Sequence, residues 1–363
     1  MSIKRVFNIF KRYSPVWNVE KNKDILVLDG EGSEYLIPCF SNYDFFIIDS
    51  RNIIYLRCLL EAIFLGISFN FDKIKHLYYM RMIAKINPKL IITFTDNSSF
   101  FWEIDKSIHN RISFLTVQNG NHYLGSLDYL EEGFDHLFLE GDSPFYSNLA
   151  CISQYDADYY LNNGLNVKKY YTIGSLKLSK YISNHVKKPK KIDLCIVANS
   201  INDRPANIKV WELILKYMEL HDVTVCIAIK SSSDSRNQPL YDFFQETNAI
   251  FAKNANFSSQ YLSDISEVTV GFASTLLRQT FSRGNKIYPL NFASNLFDLP
   301  YKYLGETLRP SYSQFESHLN HLLVQSNKEY NDQNSDLMKY LDVYNPRISP
   351  ELMLEKVITD LIK

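Results

Sequence analysis

A Ser-Thr pair, Ser274 and Thr275, stands between a strand pattern and a helix pattern in the last third of the chain. The strand pattern runs from Glu267 to Phe272, and the helix pattern ends at Gly284. Ser and Thr are common helix N-caps, so the pair fits a simple structural role. A helix N-terminus after a strand also binds phosphate groups, because its free N–H groups and its dipole attract anions. The pair is therefore either a helix cap or part of an anion site.

Two other strand ends in the second half of the chain carry polar or cationic residues. Asn199 lies at the end of the strand pattern 192–200, and Lys230 and Ser231 begin a hydroxyl-rich loop after the strand pattern 222–230. Ligands of open α/β sheets bind beyond the carboxyl ends of the strands. Together with the Ser274-Thr275 junction, the second half thus has three strand ends that offer hydroxyls, a cation or a helix N-terminus. Such groups suit a diphosphate or a phosphodiester, although none of the three strand ends is a Walker motif.

The first half of the chain has acidic and amide residues at its strand ends. Asp29 and Glu31 lie in the segment DGEGS, which lacks the third glycine of a dinucleotide-binding loop. The other polar candidates follow two later strand patterns and are Asp96, Asn97, Gln118, Asn119 and His122. Carboxylates can act as a general base, and amides both donate and accept hydrogen bonds, which suits a hydroxyl-rich ligand. The alternative is ordinary turn chemistry, in which Asn, Asp and Gly are frequent.

Alternating strand and helix patterns position these residues. The strands of the first half are predicted at 24–30, 44–50, 89–97, 111–120, 135–141 and 168–175, with helices at 52–67 and 98–110. A charged, proline-broken segment at 186–191 is typical of a linker, and the alternation then restarts. The sequence predicts an α/β protein with two Rossmann-like doubly wound domains, 1–185 and 192–363, which face a cleft.

The composition narrows the function classes. The chain has 363 residues, of which 46% are hydrophobic and 22% charged, enough for two buried cores. Its formal net charge of −1 argues against nucleic-acid binding. Five cysteines without a CxxC spacing predict reduced thiols in the cytoplasm, and the spacing of Cys and His gives no metal signature.

Residues 1–12 interleave basic and apolar side chains. They lack the apolar core of a secretory signal peptide. The segment predicts either an amphipathic foot on the inner face of an anionic membrane or a leader that packs on the first domain. The chain is accordingly expected in the cytoplasm, with peripheral membrane contact through residues 1–12 as an extension of that expectation.

Several segments also share their order with a known superfamily. They are IITFTDNSSFFWEIDKS, ISFLTVQNG, YYTIGSLKLSKY and VTVGFASTLLRQTFSRGNKIYPLN, followed by LMKYLDVYNP, and they span about residues 85–346. Together they resemble bacterial surface-carbohydrate (capsule and O-antigen) biosynthesis glycosyltransferases of the GT-B superfamily, related to Kdo transferases and CDP-glycerol polyol-phosphate transferases. The resemblance implies a GT-B fold in which the N-terminal domain binds the acceptor and the C-terminal domain binds the activated donor.

The resemblance also gives a role to Gln279. In that superfamily the helix after the small-residue junction commonly carries a Glu that holds the donor's ribose, and Gln279 stands at this position. A Gln still hydrogen-bonds a hydroxyl, but without the strength that a charge adds. The departure leaves open which donor is used, and whether the enzyme is fully active.

The leading hypothesis is a metal-independent glycosyltransferase without a cofactor. It would move a sugar from a nucleotide-activated donor to a polysaccharide or lipid-linked acceptor. The donor would bind at the strand ends of the second half, and the acceptor would bind at the strand ends of the first half. Cations and backbone N–H groups would stabilise the departing phosphate. Asp96 is the first candidate for the general base of an inverting reaction, ahead of Asp29 and Glu31. The alternatives are polyol-phosphate transfer from a CDP-activated donor and a catalytically inactive GT-B scaffold in a polysaccharide assembly complex.

Overall fold

The computed structural model describes most of the chain. The described residues are 13–49, 52–66, 71–120, 123–125, 137–139, 144–184, 189–197, 205–229, 238–251, 258–271, 274–292, 309–341 and 348–363. The strands are β1 Ser14–Val16, β2 Ile25–Val27, β3 Phe45–Ile47, β4 Ile53–Tyr55, β5 Leu90–Thr93, β6 Ser113–Val117, β7 Tyr123–Gly125, β8 Leu137–Leu139, β9 Phe145–Tyr146, β10 Leu149–Cys151, β11 Asn166–Val167, β12 Tyr170–Thr172, β13 Ile192–Val197, β14 Val225–Ala228, β15 Ile250–Phe251, β16 Ser266–Gly271 and β17 Lys286–Pro289.

The helices surround these strands. They are α1 Ser33–Leu36, α2 Leu56–Leu65, α3 Phe71–Ile86, α4 Ser99–Ile108, α5 Gln154–Asn162, α6 Leu176–Asn184, α7 Pro205–Leu220, α8 Gln238–Phe244, α9 Ser258–Ile265, α10 Thr275–Ser282, α11 Tyr312–Val324, α12 Asn327–Leu341 and α13 Pro350–Ile362. Among the described residues, no helix is both long enough and apolar enough to cross a membrane.

The first half forms a six-stranded parallel sheet in the order β12-β10-β6-β5-β2-β3. Side chains of a strand alternate between the two faces of a sheet, and both faces of this sheet are covered. Ile25 and Leu90 lie in the core on one face, whereas Leu26 and Ile91 pack on the other with α3 and α4. Burial on both faces explains why these strands are continuous apolar runs.

The second half forms a five-stranded parallel sheet in the order β15-β14-β13-β16-β17. Its central strands are almost entirely buried. One buried cluster joins the two halves, since it contains Tyr155 and Tyr159 of α5 as well as Leu276 of α10 and Leu341 of α12. The predicted fold class is confirmed: the chain is an α/β protein with two parallel, helix-covered sheets.

The last helix returns to the first sheet. Leu354 and Ile358 of α13 belong to the same buried cluster as Ile25 and Leu90. Ser113 Oγ of β6 also donates a hydrogen bond to the carbonyl oxygen of Leu361 at 3.0 Å. Residues from the end of the chain therefore complete the core of its beginning.

Two predicted elements differ from the structure. The helix predicted at 52–67 begins as β4, whose β-branched Ile53 and Ile54 pair with β1, and α2 starts only at Leu56. The strand predicted at 135–141 is β8, which pairs with β7 in a separate two-stranded sheet. Its expected place in the main sheet belongs to β10, a run of only three residues that is too short to give a periodic signal.

Candidate functional site

The carboxyl end of the first sheet meets the start of α10. Gly120 follows β6, and Thr275 is the first residue of α10 in the second half. A Cβ atom placed on Gly120 would lie 3.3 Å from Thr275 Oγ1, so the loop approaches the helix with little room for a side chain. The predicted acceptor loop and the predicted donor helix are therefore neighbours.

Ser274 is the N-cap of α10. Its backbone is extended, and its Oγ accepts a hydrogen bond from the backbone N–H of Leu276 at 3.2 Å. Ser274 thus has the structural role that its residue type predicts. This cap satisfies one N–H group of the several that a helix N-terminus leaves without an intrahelical partner, so it is compatible with anion binding at the same place.

Gln279 lies one turn beyond Thr275 and is buried, with 6% of its surface exposed. Gln260 of α9 donates a hydrogen bond from Nε2 to Gln279 Oε1 at 3.5 Å, at the upper limit for such a bond. A ribose hydroxyl at this oxygen would compete with a long and weak contact. The role of Gln279 toward a donor stays a prediction.

Asp96 ties two strand ends together. It is buried, and its Oδ2 accepts a hydrogen bond from the backbone N–H of Asn119 at 3.1 Å. Its own carbonyl oxygen accepts from Tyr146 Oη at 2.7 Å and from Trp102 Nε1 at 3.0 Å. The loops after β5 and β6 thus converge, as predicted from their position at neighbouring strand ends.

The other acidic candidates lie at the same edge of the sheet. Asp29 is half-buried; its Oδ1 accepts from the backbone N–H of Glu31 at 3.2 Å, and its Oδ2 accepts from Thr95 Oγ1 at 3.4 Å. Glu31 and Asn97 are exposed. Within the described ranges, His, Cys, Asp and Glu side chains form no group of three or more that would hold a metal ion.

Lys177 is a cation at this edge that sequence analysis missed. It lies in the first turn of α6, donates a hydrogen bond to Asn119 Oδ1, and places its Nζ 5.4 Å from the centre of the Phe94 ring. Gly32 also lies against Phe94: its φ is 75°, and a Cβ atom there would come within 2.2 Å of the ring. Gly32, the second glycine of DGEGS, is therefore required by the close approach of Phe94.

Gln118 uses its amide inside the protein. It is buried, and its Nε2 donates to the carbonyl oxygen of Gly120 and to Asp156 Oδ1, both at 2.9 Å. Its Oε1 accepts from the backbone N–H of Ile152 at 2.9 Å. These bonds fix the loop after β6; contact of Gln118 with an acceptor stays a prediction.

Asp156 of α5 and Arg278 of α10 form a buried ion pair between the two halves, and both were missed. Arg278 Nη1 lies 2.9 Å from Asp156 Oδ1, and Nη2 lies 2.6 Å from Oδ2. Arg278 also donates to Ser153 Oγ at 2.5 Å and to the carbonyl oxygen of Leu341 at 2.6 Å. Burial alone would raise the pKa of Asp156, but Arg278, Gln118 and Ser153 together hold that pKa below its ordinary value.

Four predicted site residues, His122, Asn199, Lys230 and Ser231, lie outside the described residues, as do residues 1–12. Their roles stay predictions. In the described part of the candidate site, contacts join the loops after β2, β5 and β6 to one another, and the loop after β6 approaches the N-terminus of α10.

Sequence comparisons give no match, whereas solved structures match in fold. No protein-family model and no curated protein matches the chain. The UDP-GlcNAc 2-epimerase of Methanocaldococcus jannaschii, solved with UDP-GlcNAc and UDP, is 12% identical with a TM-score of 0.54, over 84% of this chain and 93% of that chain. A UDP-glucose:anthocyanidin 3-O-glucosyltransferase in complex with UDP is 11% identical with a TM-score of 0.53, over 94% and 99%.

A third match is the wall teichoic acid polymerase TagF, 12% identical with a TM-score of 0.50, over 93% of this chain and 88% of that chain. Identities this low establish the fold alone. These neighbours are GT-B proteins, and they match this chain along most of its length and theirs. The fold of this chain is GT-B.

Proposed function

We propose that this protein is a glycosyltransferase that moves a sugar from a nucleotide-activated donor to a growing cell-surface polysaccharide or lipid-linked acceptor. The observation that carries the proposal is the approach of the loop after β6 to the N-terminus of α10 in a GT-B fold. Neighbours of this fold were solved with UDP-GlcNAc or UDP. The division into an acceptor domain at 1–185 and a donor domain at 192–363 is part of the proposal.

The donor's diphosphate would lie against the N-terminus of α10. Thr275 would supply a hydroxyl, and Asn199, Lys230 and Ser231 would approach from the other second-half strand ends. The leaving phosphate gains negative charge as the glycosidic bond breaks, and oriented N–H groups with a nearby cation stabilise that charge. The reaction would need no metal ion for this step.

The acceptor would bind at the first-half strand ends, near Asn97, Asn119 and His122. Asp96 is the proposed general base of an inverting reaction, because its carboxylate lies at the end of a central strand and next to the loop that contacts α10. Asp29, close by, is the second candidate. The proposed compartment is the cytoplasm, with peripheral membrane contact through residues 1–12.

Binding of nucleotides tests this proposal most directly. Calorimetric titration with UDP, CDP and their nucleosides should detect one nucleotide that binds. Thr275→Ala should then weaken binding of the nucleoside diphosphate by about 1–3 kcal/mol, the scale of a hydrogen bond to a charged group. Binding of the nucleoside should not change. Gln279→Ala should weaken binding of the nucleoside and of the diphosphate alike, because the proposed contact of Gln279 is with the ribose that both ligands contain. If both variants bind both ligands as the wild type does, the donor site lies elsewhere.

Asp96→Asn separates the two sides of the cleft. It keeps the shape of the side chain but removes the charge of the base, so turnover should fall by about 10²-fold or more, the usual contribution of a general base. Donor affinity should not change, because the donor would contact the other half. An equal loss of donor affinity would contradict this division of roles.

The fold likeness to TagF favours polyol-phosphate transfer from a CDP-activated donor as a second candidate. Incubation with CDP-glycerol, UDP-glucose and UDP-GlcNAc distinguishes the reactions by their products. Release of CMP from CDP-glycerol indicates polyol-phosphate transfer, release of UDP indicates glycosyl transfer, and a sugar nucleotide epimerised with its diphosphate intact indicates an epimerase. Failure to bind any nucleotide would favour an inactive scaffold.

A further inference from the structure

The buried Arg278–Asp156 pair is part of a closed ring of contacts that includes the candidate site. From Arg278 the ring passes to Asp156 through two hydrogen bonds, and from Asp156 to Gln118 at 2.9 Å. Gln118 holds the carbonyl oxygen of Gly120 at 2.9 Å. Gly120 lies against Thr275, which is one helical turn before Arg278 on α10.

Each member of the ring is held in a defined orientation. The planar guanidinium presents parallel N–H groups that match both oxygens of a carboxylate. Arg278 is 1% exposed and Asp156 4% exposed, so water does not screen the pair. Ser153 and Leu341 bind the remaining sides of the guanidinium. A displacement of α10 would therefore be transmitted to Gln118 and so to the loop 118–120.

We infer that Arg278 is a positioning residue: through Asp156 and Gln118 it sets where the loop 118–120 lies relative to the N-terminus of α10. This inference rests on the proposed function, because the ring of contacts would align the acceptor loop with the donor helix. The ring couples the two sites in both directions. A ligand that orders the N-terminus of α10 also orders the loop of the other half.

A second ion pair, which lies within the second half and contacts the first half through Tyr181, gives a control. Arg283 Nε contacts Asp264 Oδ1 at 2.7 Å, and Tyr181 of α6 donates to Asp264 Oδ2 at 2.6 Å. Asp264 of the second half thus binds Arg283 of the same half and Tyr181 of the first half. Neither contact involves the loop 118–120, so Asp264→Asn perturbs the interface without breaking the ring.

The first experiment measures backbone amide exchange in the protein without ligand. In Asp156→Asn, exchange in the loop 118–120 should rise on the order of tenfold or more, because the loop opens locally. In Asp264→Asn the loop should exchange as in the wild type, even if both variants lose similar global stability. Arg278→Lys, which keeps a charge beside Asp156 but loses the fork, is a milder substitute if Asp156→Asn fails to fold. Equal loop exchange in the wild type and these variants would overturn the inference.

The second experiment adds UDP or CDP, whichever titration shows to bind. In the wild type, exchange should slow at the N-terminus of α10 and also in the loop 118–120. In Asp156→Asn it should slow at α10 alone. Protection of α10 without the loop in the wild type would overturn the inference while leaving the proposed function standing. If neither UDP nor CDP slows exchange at α10, that result would count against the proposed donor site. The ligand-free experiment would still test whether Arg278 positions the loop 118–120.

Discussion

Two aspartates of the first half are almost equally buried but have opposite electrostatic environments. Asp105 on α4 is 1% exposed and Asp156 on α5 is 4% exposed. Asp105 Oδ2 accepts a hydrogen bond from the backbone N–H of Ser147 at 2.7 Å, and burial raises the pKa of Asp105 to about 6. Asp156 faces Arg278, and its pKa is lowered although burial opposes that shift.

The difference shows what a partner charge does in a protein interior. Desolvation disfavours the carboxylate at both places, because an ion loses its hydration there. One backbone hydrogen bond does not offset this cost at Asp105, whereas a fork of two charged hydrogen bonds does so at Asp156. The uncompensated carboxylate lies within one half, and the compensated one lies where the halves meet.

Removal of the cation is expected to have the largest effect. Arg278→Met should leave Asp156 buried without its partner and cost about 3–5 kcal/mol of unfolding free energy. Denaturant titration measures this loss, with Lys339→Met, at an exposed ion pair, as the control that should change stability by less than about 0.5 kcal/mol. The double variant Arg278→Met/Asp156→Leu should recover most of the loss. A double variant as unstable as the single one would show that packing, and not the buried charge, dominates.

Asp105→Asn should do the reverse and stabilise the protein at neutral pH. A pKa of about 6 in the folded protein, against 3.8 ordinarily, means that the folded state favours the protonated form. Protonation of Asp105 makes its whole contribution to the free energy of unfolding below pH 3.8, and this contribution is lost as the pH rises through about 6. The gain from Asn at pH 8 should therefore be on the order of 1–3 kcal/mol. It should shrink toward zero near pH 4, measured by denaturant titration at both pH values, and a pH-independent gain would exclude this explanation.

The smallest effect is expected for Gly120→Ala, which perturbs the meeting point of the halves and leaves both carboxylates in place. The new methyl group would contact Thr275 Oγ1, which can rotate away, so the loss of stability should be about 1 kcal/mol or less. Thermal unfolding of Gly120→Ala and Gly120→Ala/Thr275→Ala tests the contact, since the second substitution removes the oxygen that the methyl group meets. A larger loss in the double variant would place the strain elsewhere.

The sequence alone predicted the parts of the site that rest on local patterns. The strand, the Ser cap and the helix around Ser274 were correct because apolar runs, a capping residue and Gly284 in a left-handed conformation each leave a local signal. The convergence of Asp96 and Asn119 followed from a rule on parallel strands.

Long-range pairing could not be predicted in this way. Asp156 and Arg278 are separated by 122 positions, and each looks like an ordinary polar residue on an amphipathic helix. The available signal was that both stand among aromatic or apolar neighbours, in QYDADYYL and TLLRQTF. A charge on such a face is buried only if a partner meets it, but the sequence does not say which partner.

The return of α13 to the first sheet has a consequence for how the protein is made. The ribosome synthesises β12, the last strand of that sheet, long before it reaches α13. At about 5–20 residues per second, the apolar face that receives Leu354 and Ile358 waits on the order of ten seconds or more for its cover. During that interval the nascent chain exposes this apolar surface to water, so we expect chaperones to bind the first half until α13 has emerged.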